Sequence, residues 1–138
     1  MTAKEYLSQA YRLDRRIESK LDQLSALRDT ATKATAVMNN IVVSHTRNVF
    51  SLQDTIAKII DMEDELNRDI DELVDLKREM MMQIKTVKNP EYQTLLELRY
   101  LCFKSWDDIA EAMGYCINNV FKMHAKALRS FQVPESLQ

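Results

Sequence analysis

The chain has 138 residues, a formal net charge of −2, one glycine and two prolines. That length suits one ordinary domain or two small ones, and so few helix breakers fit a nearly all-helical chain with short connections. Near-neutrality excludes a global electrostatic pull toward nucleic acid, so any DNA contact must use a local patch. A lone glycine excludes a Walker loop and a dinucleotide fingerprint.

Residues 3–38 read as one long helix. Leu7, Ala10, Ile17, Leu21, Leu24, Ala31 and Met38 fall on a stripe of three-four spacing, interrupted by Asp14, Arg28 and Thr35. The segment NNIVVSHTRN, residues 39–48, breaks the pattern. Asn39 and Asn40 can end a helix; Ser44, Thr46 and Asn48 can start one. Ile41, Val42 and Val43 either tuck against the helix ends or belong to an interface. His45 is expected at a loop surface.

The next helix is expected over about residues 49–87. Leu52, Ile59, Leu66, Leu73, Met80 and Val87 recur every seven residues. An offset series, Val49, Ile56, Glu63, Ile70, Lys77 and Ile84, is aliphatic at four of six positions. Sustained heptads argue for a coiled-coil seam, with Glu63 and Lys77 setting its register. A helix of ~38 residues spans about 57 Å at 1.5 Å per residue, too long for the inside of a small globule. It needs a partner, and residues 3–38 supply one of matching length. The expectation is an all-α protein: an antiparallel, coiled-coil-like hairpin over residues 1–88, from which a homo-oligomer is expected, then a three-helix unit over 89–133.

From Asp61 to Glu79 there are nine acids and three bases. A solvated outer face is the plain reading, an acidic docking surface the sharper one. Asp61-x-x-Asp64 and Glu72-x-x-Asp75 superficially resemble magnesium sites of helical nucleotide pyrophosphatases, but those take carboxylates from separate helices, and here both pairs lie on one. Met80, Met81 and Met82 form a flexible apolar patch.

Asn89, Pro90 and Glu91 suit the N-cap and first turn of a helix running to about Phe103. Ser105 caps the next, with Asp108 completing a capping-box-like Ser-x-x-Asp. Gly114, free to adopt positive φ, ends it. Ile117 to about Phe131 is the last helix, and Pro134 marks the end of order. Trp106, Ile109, Ala110, Met113, Ile117, Val120 and Met123 supply the apolar faces with which two such helices pack as a helix-turn-helix. Trp106 reads as core.

The second helix of that pair carries Lys122, Lys126 and Arg129 and no acid. Phosphate contact is the functional reading of these bases, a solvated face the plain one. Asn118 and Asn119 at the helix start are candidate base readers, since an Asn amide can pair bidentately with adenine. His124 reads as a surface residue within reach of a phosphate.

Cys102 and Cys116 lack Cys-x-x-Cys spacing and are expected to stay reduced in a cytoplasmic protein. A zinc site from Cys102, Cys116 and His124 would lack a paired ligand motif and is not expected; no cofactor is implied. No run approaches the ~20 apolar residues of a membrane span, and MTAKEYLSQAYRLDRR is too charged for a signal peptide. With no nucleophile–base pair or metal box, an enzyme is not expected.

Leu98-Arg99-Tyr100, Trp106-x-x-Ile109-Ala110, Met113-Gly114, Val120 and Ala125-Lys126-Ala127-Leu128-Arg129 resemble region 4 of bacterial sigma-70 factors over about residues 90–131. The whole chain, with MTAKEYLSQAYRLDRRIESK at its start and NPEYQTLLELRYLCFKSW in its middle, resembles a family of small phage and prophage proteins from Gram-positive bacteria, near the late-gene transcription regulators of the ArpU and RinA type. The resemblance implies a DNA-binding transcription regulator reading DNA through helix 117–131. The alternative is a protein-interaction module contacting RNA polymerase or a phage protein, or a small-terminase-like packaging component. Cys116 stands where region 4 has a hydroxyl cap, and Ile117, Asn118 and Asn119 stand where Arg and Glu are usual. Nothing here resembles the sigma regions that melt promoter DNA, so a complete sigma factor is not expected.

Overall fold

The computed structural model describes the backbone of residues 1–40 and 45–137, and the side chains of all these except 38–40 and 45–50. The described residues are helical, without strands: α1 (Ala3–Asn40), α2 (His45–Ile84), α3 (Pro90–Leu96), α4 (Trp106–Met113) and α5 (Ile117–Ser130). α2 begins at His45, four residues before the expected start. Ile41, Val42 and Val43, and the side chain of His45, lie outside the described residues.

Helix starts follow local chemistry. Thr2 and Glu5 form a reciprocal capping box at α1: the Glu5 amide donates to Thr2 Oγ1 at 3.1 Å, and the Thr2 amide to Glu5 Oε2 at 3.0 Å. Asn89 accepts from the Glu91 amide at 2.9 Å, with Pro90 at the first helical position. Ser105 accepts from the Asp108 amide at 3.1 Å. Residues 90–103 do not continue as one α-helix, however. α3 passes into a single π turn, Glu97–Leu101, and Phe103 sits at φ 57°. Beyond Pro134 a short 3₁₀ turn, Glu135–Leu137, follows where order was expected to end.

The chain divides into two compact units, one of residues 1–14 and 73–138, the other of residues 15–72. This division does not fall at residue 88. In the first unit, Tyr6, Leu7 and Ala10 of α1 and Met80 and Ile84 of α2 join one core with Leu95, Leu96, Tyr100, Ile109, Val120, Met123 and Ala127. Tyr6 stacks on Phe131 with ring centroids 5.8 Å apart. The three short helices therefore do not close their own core; the N-terminal end of α1 and the C-terminal end of α2 complete it.

In the second unit α1 and α2 run antiparallel, as the ion pairs show. Lys20 Nζ lies 2.5 Å from Asp69 Oδ2 and 3.6 Å from Glu65, and Arg28 lies 2.7 Å from Glu63. Asp69 is buried at 9% exposure. The seam differs from the expected one on both helices. On α1 the inward positions run Tyr6, Ala10, Leu13, Ile17, Lys20 and Leu24, whereas Leu21 is exposed. On α2 the series from Leu52 to Met80 does face inward, continued by Val87 just beyond the helix, but its companion is Thr55, Met62, Asp69, Leu76 and Gln83. Of the expected companion series, Ile56 and Ile70 are exposed, Glu63 and Lys77 are half-buried, and among the described side chains only Ile84, at the end of α2, is buried. Apolar content favours the series through Ile56 and Ile70, but the Lys20–Asp69 ion pair turns the more polar series inward. The polar pair inside the seam is thus Lys20–Asp69, while Glu63 pairs with Arg28, and Lys77 Nζ lies 4.5 Å over the Phe103 ring.

Among the described residues, no helix is long and apolar enough to cross a membrane.

Candidate nucleic-acid interface

α4 ends in a Schellman turn. Gly114 takes φ 73° and ψ 27°; its amide donates to the Glu111 carbonyl at 3.3 Å and that of Tyr115 to Ala110 at 3.1 Å. A Cβ placed on Gly114 would meet nothing within 4 Å. The glycine therefore serves the left-handed backbone rather than a close approach. The Tyr115 hydroxyl donates to Glu91 Oε1 at 2.6 Å, tying the turn to the start of α3. α5 then packs on both α3 and α4, burying Val120, Met123 and Ala127.

Cys116 occupies the N-cap of α5 with extended backbone and no side-chain cap bond. The first-turn amides are left without a side-chain acceptor from the cap.

At about 100° per residue, Asn118, Lys122, Ala125 and Arg129 fall within an arc of about 60° opposite the buried face. All four are exposed. Lys126 flanks them on one side and Phe121 on the other. Arg129 Nε folds back to the Ala125 carbonyl at 3.3 Å. Asn119 points about 100° away from Asn118 and is half-buried, so the two asparagines are not equivalent. The face thus gathers four of the five expected site residues, with Asn119 at its margin.

His124 is not a surface residue. It is half-buried, its Nε2 2.6 Å from the Tyr100 hydroxyl and its ring 4.6 Å from that of Trp106. Burial first, then the charges of Lys4 and Arg99, push its pKa down to about 4. Trp106 is half-buried, with the Arg99 guanidinium 4.3 Å over its ring and Phe121 at its edge, 5.3 Å between centroids. Sequence reasoning missed this aromatic cluster because its members come from three elements. Cys102 and Cys116 are exposed and free. Among the described residues, no three His, Cys, Asp or Glu side chains gather as a metal site.

Charge is also redistributed. From Asn89 onward there are five bases and six acids, but the compact unit that carries α5 holds eleven bases and ten acids. The bases gained lie on one end of α1 (Lys4, Arg12), on the last turns of α2 (Lys77, Arg78) and just beyond it (Lys85, Lys88).

Residues 30–132 match the family model described as "Protein of unknown function (DUF1492)". No curated protein and no solved structure matches the chain. Because the match covers about three-quarters of its length, the chain belongs to the DUF1492 family.

Proposed function

We propose that this protein is a phage-type, sigma-70 region 4-like transcription regulator that lays α5 in the DNA major groove. The reading is supported above all by one observation: the exposed face of α5 carries Asn118, Lys122, Lys126 and Arg129, and α5 has no acid. A B-form major groove admits a helix of this kind. Lysine and arginine would hold phosphates and set the register; Asn118 would read a base edge. No catalytic step or cofactor belongs to the proposal, and its setting is the cytoplasm. The test is binding of the full chain to its cognate genome fragments and to random duplexes at two salt concentrations. Submicromolar, salt-dependent binding at low salt supports the reading. Binding no tighter than micromolar to either duplex removes it.

A second reading, a protein-interaction module acting on RNA polymerase or a phage protein or in packaging, shares one further observation with the first. α2 exposes Ile56, Ile60, Ile70, Val74 and Met81, which share a second three-four stripe beside the seam. In the unit of residues 15–72, five large apolar side chains are exposed against three buried, among the described residues. A coiled-coil partner would cover such a stripe, and we assign it to self-association. That assignment serves both readings, since dimers also set half-site spacing on DNA.

A further inference from the structure

The unit of residues 1–14 and 73–138 contains a cavity of about 500 Å³. That volume lies within the roughly 300–1,000 Å³ of small-molecule sites. Tyr11, Tyr100 and Phe103 give it aromatic walls, Arg12 and Arg99 its charge, and Ser8 and Ser105 hydroxyls. None of these residues lies on α5, and none is a carboxylate.

The backbone builds this wall in an unusual way. Ser8, Tyr11 and Arg12 share one face of α1 by their spacing. Arg99 and Tyr100 come from the π turn, and Phe103 follows in the left-handed region that non-glycine residues seldom adopt. Single π turns and such residues concentrate at functional sites. Phe103 is held there from two sides: its ring meets Tyr11 edge-on, 5.6 Å between centroids, and Lys77 Nζ lies 4.5 Å from its centre. Arg99 is also pre-set. Its guanidinium lies over Trp106, and Nη1 donates to the Lys104 carbonyl at 2.9 Å. A guanidinium has five N–H donors, so others remain for an anion.

We propose that this cavity binds a small aromatic anion of the nucleotide class. Arg12 and Arg99 take the phosphate, and the base packs among Tyr11, Tyr100 and Phe103. Rings alone would suit an uncharged aromatic and arginines alone a bare phosphate; the cavity combines them. The proposal stands independently of DNA binding by α5.

Trp106 is the only tryptophan of the chain, and Arg99 lies over it, so its emission reports on the site. The full chain is titrated with AMP, GMP, adenosine and inorganic phosphate. Equilibrium dialysis of labelled AMP runs alongside, to count binding that leaves Trp106 unchanged. The expected result is saturation by a mononucleotide below about 1 mM, with adenosine and phosphate each weaker by about tenfold or more. Arg12→Ala, at an exposed position, weakens nucleotide binding by about tenfold at unchanged melting temperature, and Lys122→Ala leaves it intact. Three results overturn the proposal: no saturation by either method up to about 10 mM, equal binding of phosphate alone, or loss with Lys122→Ala but not with Arg12→Ala.

Discussion

The Tyr100 hydroxyl lies 2.6 Å from Nε2 of His124, and the two rings stack with centroids 5.8 Å apart. This contact joins the π turn to the middle of α5, and it is built around a neutral imidazole. Protonation would place a cation in a half-buried site already facing Lys4 and Arg99. The folded pKa of about 4 lies below the ordinary value of 6.5. Between those values the unfolded chain binds a proton that the folded chain does not, so stability rises with pH across that window. This contribution is lost as pH falls from 6.5 toward 4 and levels off below. His124→Gln can still bond Tyr100 and should remove that part of the dependence. Urea midpoints for both proteins between pH 4 and 7.5 measure it; parallel profiles would sink the idea.

Cys116→Ser should be stabilising. The cysteine makes no cap bond and is exposed, whereas a serine hydroxyl can accept from a first-turn amide. A gain of about 0.5–1 kcal/mol is expected, read as a higher urea midpoint at unchanged slope. A lower midpoint would contradict the capping argument.

Gly114→Ala should cost about 1 kcal/mol, because the penalty comes from φ 73° and not from crowding. Gly114→Asn should cost less, since asparagine tolerates the left-handed region, and Gly114→Val should cost most. Thermal melts of the three variants give the order. Equal losses would point to a packing role for the glycine instead.

The α5 face predicts a division of labour. Lys122→Ala, Lys126→Ala and Arg129→Ala should weaken binding to every duplex, each lost phosphate contact lowering the salt slope by about 0.9. Asn118→Ala should relax sequence preference by roughly 1–3 kcal/mol. Asn119→Ala, half-buried at the margin, should change preference much less. Binding isotherms on matched and mismatched duplexes test this, and equal effects at Asn118 and Asn119 would contradict the geometry.

Light scattering at micromolar concentration should give at least a dimer, because Ile56, Ile60, Ile70 and Val74 are exposed at coiled-coil spacing. Ile60→Lys combined with Ile70→Lys should yield a monomer of undiminished helicity. A wild-type monomer would leave that stripe without the assigned partner.

Much was legible along the chain because it depends on neighbours in sequence. Asn89-Pro90-Glu91, Ser105 and Gly114 mark helix ends through local hydrogen bonds and permitted φ values, and the heptad from Leu52 to Val87 gives a long helix with one inward face. The bases of α5 share a face because helical spacing decides it. Tertiary packing alone decided that a largely polar series, Thr55, Met62, Asp69, Leu76 and Gln83, and not the more aliphatic one through Ile56 and Ile70, accompanies that heptad inside. Burying Leu66 with Asp69 against Lys20 leaves Ile56 and Ile70 outside, a choice that depends on the partner helix. Packing also drew Tyr6 and Met80 into the core beneath α3, α4 and α5, since three short helices cannot enclose enough apolar surface alone. It turned His124 inward against Tyr100, and it set Arg12 beside Arg99, 87 positions apart in the chain, around one cavity. Contacts between distant residues obey no sequence period, which is why the local pattern carried the helices and the fold alone assembled the sites.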